Sequence, residues 1–151
     1  MVTKEQFKNK MCLFCASDYH LEMILLPYIK ERIDNSKFII FTENNLEDSI
    51  STLLTKVNLD EKDKQKIKNI NWKDTDDIKY EQMERDIDKN VRVIINGSFN
   101  YIKYVNKKIE EISNKEIEIV DCYHVGDNDV DIIDLQKKYK KTLNTQKIYN
   151  K

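Results

Sequence analysis

At 151 residues the chain is long enough for one domain with a core of its own, with no disulfide staples needed to hold it. Hydrophobic residues make up 40% and charged residues 35%, a globular balance with a heavily charged surface, which excludes a disordered polar tail. The 26 basic and 27 acidic residues nearly cancel and interleave, so the basic stretch of a nucleic-acid module is missing, and arginine is confined to Arg32, Arg85 and Arg92.

Residues 1–9 read as a short helix or frayed lead-in with no apolar signal core. No later apolar run nears the ~20 residues of a membrane span. A cytoplasmic protein without membrane contact is expected, its three cysteines reduced. The first strand is expected over 10–16, where Met-Cys-Leu-Phe-Cys-Ala is continuously apolar. Ser17-Asp18 is a helix cap. A helix over 19–34 follows, with Leu21, Ile24, Leu25 and Tyr28 at helical spacing. Pro27 falls inside that pattern and must kink the helix or begin a new turn. Asp34-Asn35-Ser36 stops it and turns the chain into the strand Lys37–Thr42.

A helix over 46–57 buries Leu46, Ile50, Leu53, Leu54 and Val57. Residues 59–68 are too charged for a core helix and read as a surface turn or short helix. Residues 67–72 read as a short strand. Asp74-Thr75-Asp76 caps a helix over 77–89, with Ile78, Met83 and Ile87 facing inward. A strand over 91–95 breaks at Asn96-Gly97-Ser98, and the helix Phe99–Ile112 buries Ile102, Val105, Ile109 and Ile112. A strand over 116–123 opens into His124-Val125-Gly126. A last helix over 130–143 and an edge strand over 146–149 close the chain. The carboxylates Asp127, Asp129 and Asp131 lack the glycine and closing glutamate of a calcium loop and read as helix caps.

Strands and helices thus alternate, and Phe-Ile-Ile-Phe and Val-Ile-Ile are the unbroken apolar runs of strands covered on both faces. The expected fold is α/β: a single-domain three-layer α/β/α sandwich around a mainly parallel sheet of about five to six strands.

Cys12-x-x-Cys15 beside a strand–helix–strand invites a redox reading. Three apart in a strand, however, the two thiols face opposite sides of the sheet, and no later proline strand exists to complete a thioredoxin-type site. Buried structural thiols are expected. A zinc site from Cys12, Cys15, Cys122 and His124 has suitable ligand types but meets the same opposite-face objection. No Gly-x-x-x-x-Gly-Lys-Ser/Thr loop exists to cradle a phosphate, and no cofactor is expected. Ser17, Asp18, His20, Ser98 and His124 supply the elements of a nucleophile and base, but no Gly-x-Ser-x-Gly frame holds them.

Taken together, the chain resembles the MEDS (methanogen, methylotroph, DcmR-type) sensory domain family over residues 10–149. Met11-Cys12-Leu13-Phe14-Cys15 is similar to that family's opening His-Ile-Cys-x-Phe-Tyr strand, and Leu26-Pro27-Tyr28-Ile29 to its Pro-Phe-Ile segment. The stretch from Val91-Arg92-Val93 to Asn96-Gly97-Ser98-Phe99 resembles its Arg-Val-x-Gly segment, and Asp121-Cys122-Tyr123 its late Cys-x-Tyr strand end. The chain departs from the pattern at Lys10 and Tyr139, near which the family has histidines, and at Arg32, where it has glycine. The resemblance implies a ligand-sensing, non-catalytic module. Such modules are often joined to an output domain; here action through a protein partner, a kinase or transcription regulator, is implied.

In a parallel sheet the β-to-α loops share one edge, and ligands bind outside it where strand order reverses. The expected small-molecule pocket is lined by Ser17, Glu43, Asn96, Ser98, Tyr123 and His124, with Trp72 as an apolar wall. Asn96→Leu and His124→Leu are expected to weaken a ligand and leave the unliganded protein's stability nearly unchanged. The expected function is a sensory or regulatory domain that binds a small molecule and signals through a protein, with no direct nucleic-acid contact and a homodimer allowed. The alternatives are an enzyme using His124 and Ser98 at the strand-end cleft and a protein-binding scaffold working through the region 59–89.

Overall fold

A computed structural model describes residues 7–113, 117–126, 132–143 and 148–150. In chain order the elements are β1 (Phe7–Cys15), α1 (Asp18–Arg32), β2 (Lys37–Thr42), α2 (Glu47–Leu54), α3 (Glu61–Lys68), α4 (Asp76–Asp86), β3 (Val91–Asn96), α5 (Phe99–Ile112), β4 (Glu118–His124), α6 (Ile132–Lys138), β5 (Tyr139–Leu143) and β6 (Ile148–Asn150). The strands form one sheet in the order β2-β3-β4-β1-β5-β6, with β1 to β5 mutually parallel and β6 antiparallel to β5.

Strand periodicity divides the core. Met11, Leu13, Cys15, Phe38, Ile40, Ile94, Val120 and Cys122 face α1, α2 and α3. The alternate residues, among them Cys12, Ile39, Phe41, Val93, Ile95, Ile119 and Tyr123, face α4, α5 and α6. The result is a three-layer α/β/α sandwich in a single domain. No helix of the described residues is long and apolar enough to cross a membrane.

Connection direction explains the layering. From β1 the chain travels through α1 to the far edge strand β2, whereas from β4 it travels the other way, past β1, to β5. Right-handed crossovers in opposite directions place their helices on opposite faces, and α1 and α6 do lie in opposite cores. The loops leaving β1 and β4 therefore diverge at the centre of the sheet, which makes their carboxyl ends a topological switch point.

Two expected elements are corrected. Residues 67–72 form no strand. Ile67 is the buried residue of the last turn of α3, whose start is capped by Asp60 accepting from the Asp63 amide at 2.8 Å. Ile70 and Trp72 then pack on the same core as the chain crosses to the face of α4. Their apolar pattern reports burial and not extension: Trp72 Nε1 donates to the Ile67 carbonyl at 2.9 Å, and the Trp72 carbonyl accepts from the Leu46 amide at 2.9 Å. The last helix stops at Lys138 instead of running to Leu143. Tyr139–Leu143 becomes β5 because it pairs with the otherwise open edge of β1, with Met11 opposite Lys141 and Cys12 opposite Thr142. Of the expected edge strand, Ile148 and Tyr149 fall in β6. Asp127, Asp129, Asp131 and Gln146 lie outside the described residues.

A smaller correction concerns α4. Ile78 is exposed, whereas Met83 is buried and Ile87 packs against the same core. Lys79 and Asp86 are the unexpected buried residues, with Lys79 Nζ donating to the Lys73 carbonyl. In α1, Ser17 caps as expected, its Oγ accepting from the His20 amide at 3.1 Å. The helix runs without interruption through Pro27, which faces solvent. Proline there removes a main-chain donor and crowds the carbonyl four residues earlier. Pro27→Ala is therefore expected to raise unfolding free energy by about 1–3 kcal/mol in urea titrations. Unchanged or lowered stability would mean that the ring is fitted to its surroundings.

Candidate functional site

The switch point carries a network of polar side chains. Asn96, at the end of β3, is fully buried. Its Oδ1 lies 2.8 Å from His124 Nε2, and its Nδ2 donates to Thr42 Oγ1 at 3.1 Å. With Oδ1 accepting, Nε2 carries the imidazole proton and Nδ1 is left facing Cys15 Sγ at 3.6 Å. The network continues outward: Thr42 Oγ1 donates to the Asn44 carbonyl at 2.8 Å, and Asn44 Nδ2 donates to Asp18 Oδ2 at 2.7 Å.

The order thiol, imidazole, amide is that of a cysteine nucleophile with an oriented base. Here the thiol is out of reach: Cys15 is fully buried, and burial with the Asp18 charge added pushes it up to about 12. At neutral pH it stays protonated and inert. The alternative of an enzyme using Ser98 and His124 gains no support, since each is engaged elsewhere. Ser98 Oγ caps α5, accepting from the Tyr101 amide at 3.2 Å. Glu43 is engaged at the same helix end, where Oε1 accepts from the Ser98 amide at 2.6 Å and its charge suits the helix N-terminus. Gly97 makes room for this, since a Cβ there would sit 2.5 Å from both Glu43 Oε1 and Tyr101 Cδ2.

The four-residue zinc alternative is not assembled. Cys15 and Cys122 share one core while Cys12 belongs to the other, as strand alternation demands. All three cysteines are buried and free of disulfides. Among the described residues no group of three or more His, Cys, Asp or Glu is arranged to hold a metal ion.

On the opposite face of β4 lies a groove of about 420 Å³ between α5 and α6. Phe99, Ile102, Leu135 and Tyr123 supply apolar walls, and Lys10, Lys103, Lys107, Lys138 and Glu110 surround them. Its floor is the fully buried Asp121. Asp121 Oδ2 accepts from the Tyr139 hydroxyl at 2.5 Å, and Oδ1 accepts from Asn106 Nδ2 at 3.0 Å. The Tyr139 and Tyr123 oxygens are 2.7 Å apart. Since the Tyr139 proton goes to Asp121, Tyr123 donates to Tyr139. The donors thus run toward one carboxylate, as a buried charge requires. Burial still outweighs them: it pushes the Asp121 carboxyl up, against the pull of Tyr139, Asn106 and Lys10. Burial likewise pushes both phenols up. Asn106 Nδ2 also donates to the Ile102 carbonyl at 3.0 Å, while Asn106 Oδ1 is buried without a partner among the described residues.

The structure therefore separates the expected site residues. Asn96 and His124 touch each other, and Glu43 and Ser98 touch each other, along the strand-end rim. Ser17 caps α1 at the same edge. Tyr123 points into the groove on the other side of β4, stacked on Phe14 with ring centroids 5.8 Å apart. Trp72 is buried in the core of α1 to α3 and is no wall of an open pocket. Asp121, Tyr139 and Asn106 escaped sequence reasoning. The available signals were a lone acid inside the run Ile-Val-Asp-Cys-Tyr and an asparagine among the apolar positions of α5.

No protein-family model, curated protein or solved structure matches the chain.

Two outcomes follow from this geometry. The expectation that Asn96 is dispensable for stability is corrected, because Asn96→Leu strands His124 and Thr42 in a buried network. It should cost about 1–3 kcal/mol in denaturant unfolding, and a silent substitution would show the network to be incidental. Asp121 sets a pH dependence. Its folded pKa lies above the unfolded value of about 3.9, so between those two values the folded chain binds the extra proton and stability falls as pH rises. Relative to Asp121→Asn, the native protein should lose stability from acid toward neutral pH and then level off. A difference that is flat or grows with pH would contradict burial as the dominant influence.

Proposed function

We propose that this chain is a small-molecule-binding sensory domain whose ligand occupies the α5–α6 groove, and that it acts through a protein partner without catalysing a reaction. The observation that carries this reading is the groove itself: apolar walls over a buried Asp121–Tyr139–Tyr123–Asn106 cluster, in a volume of about 420 Å³. Small-molecule sites have this form, mostly apolar with a few convergent polar groups of perturbed pKa. The resemblance to the MEDS family adds support, because Lys10, where that family has a histidine, and Tyr139, near another, both line the groove. Tyr19 and Met23, one turn apart on α1 and exposed, offer an apolar surface to a partner.

A strand-end site is the second reading, favoured by the switch-point position of Asn96 and His124. The groove is preferred because the rim residues are engaged with one another, whereas the groove keeps a buried acceptor without a donor among the described residues.

Native mass spectrometry of the gently purified chain separates the two. A bound small molecule should be retained by His124→Leu and lost from Asn106→Leu, with both variants shown folded by circular dichroism. Loss from His124→Leu with retention by Asn106→Leu would move the site to the rim.

A further inference from the structure

The groove's polar groups are arranged in a way that specifies what it binds. At its floor every donor is already committed. Tyr123 donates to Tyr139, Tyr139 to Asp121, and both Asn106 Nδ2 protons go to Asp121 and the Ile102 carbonyl. The Asn106 orientation is fixed, since turning the amide would set its oxygen against the Ile102 carbonyl, an acceptor only. What the floor has left is acceptor capacity, above all Asn106 Oδ1. A ligand that satisfies it must bring a hydroxyl or N–H donor and shift the packing that now covers this oxygen.

The mouth has the opposite character. Lys103 and Lys107 stand one turn apart on α5 and Lys138 lines the groove from α6, all exposed, with Lys10 and the acid Glu110 also lining it. Lysine ammonium groups in such an arrangement attract a carboxylate or phosphate as point charges. The wall between floor and mouth is aromatic: Phe99 and Tyr123 lie with ring centroids 6.4 Å apart and planes tilted by 32°. Such rings favour offset or edge contact with a further aromatic ring.

We infer that the groove binds an aromatic carboxylic acid bearing a ring hydroxyl, with the hydroxyl toward Asn106 and the carboxylate among Lys103, Lys107 and Lys138. This rests on the groove being the ligand site. A cationic ligand is disfavoured by the lysines. An acid without the hydroxyl leaves the floor acceptor unmatched, which is the mismatch that polar pockets reject most strongly.

The test is calorimetric titration of the full chain with three matched probes: 4-hydroxyphenylacetate, phenylacetate, and 2-(4-hydroxyphenyl)ethanol. The hydroxy acid should bind about tenfold to a hundredfold more tightly than phenylacetate, the effect of one buried hydrogen bond. It should also bind more tightly than the alcohol, with an advantage that shrinks as salt is added. The surface double variant Lys103→Ala/Lys107→Ala should shrink the advantage of acid over alcohol. Equal affinity for the hydroxy acid and phenylacetate, or for acid and alcohol, overturns the ligand class, as does no binding of any probe. In each of those cases a co-purified molecule lost from Asn106→Leu would still uphold the groove as the site. If the hydroxy acid binds in the expected order but the double lysine variant changes nothing, the binding lies elsewhere and the groove reading itself falls.

Discussion

The parallel pairing of β1 with β4 is the constraint on which the rest of the molecule depends. It sets Cys12 beside Asp121 and Cys15 beside His124, so residues far apart in sequence are brought together at the middle of the sheet. Because the chain leaves these two strands in opposite directions, α1 and α6 are driven to opposite faces. One face of β4 then presents Cys122 to the core of α1 to α3, and the other presents Asp121 and Tyr123 to α5 and α6. Both the rim network and the groove are consequences of that single adjacency.

The two polar clusters differ in what they leave undone. Along the rim Ser17 and Ser98 are caps, Glu43 neutralises a helix start, and Asn96 joins the ends of β2, β3 and β4 by holding Thr42 and His124. These are the obligations of loops that leave strands and begin helices, where orphan amides need acceptors. The groove cluster has no such duty. Asp121 sits within a strand whose main chain is already paired on both sides, and replacing such a buried charge by a hydrocarbon is often neutral or stabilising. Its amide partner, Asn106, keeps Oδ1 buried without a partner among the described residues, and the proposed recognition rests on this cluster.

How much of this was legible follows from where the determining contacts lie. Phe-Ile-Ile-Phe and Val-Ile-Ile declared doubly covered strands because burial on both faces is a local property of sequence. Helix α5 was readable to its ends because its stripe, its Ser98 cap and the preceding Gly97 agree. Residues 67–72 misled because Ile67 and Trp72 are buried in the core of α1 to α3, with Ile70 packed against it, and burial alone does not fix backbone conformation. Tyr139–Leu143 misled for the converse reason: its strand identity comes from the waiting edge of β1, and neighbours along the chain say nothing of it. The site was half legible. Strand-end logic put Asn96, Tyr123 and His124 together, whereas alternation along β4 sends Tyr123 to the groove and leaves His124 bonded across the rim. Asp121 was hidden because a lone acid in an apolar strand declares only that a partner exists, and the partners Asn106 and Tyr139 arrive from two other elements.

The placement of Tyr139 gives the groove a mechanical consequence. This residue is the first of β5 and directly follows α6, whose Leu135 and Lys138 form one wall. Its hydroxyl is held by Asp121 and Tyr123 of β4, so the phenol ties α6 and the start of β5 to the centre of the sheet. An occupant that pushes on Leu135 or competes for the phenol network acts on the same short stretch of chain from two directions. The elements beyond it, β5 and β6, form the outer edge of the sheet, and edge strands are the surfaces through which sheets recruit other chains. On the proposed reading, the path from the groove wall to that edge runs through one covalently continuous segment, apart from β2, β3 and β4.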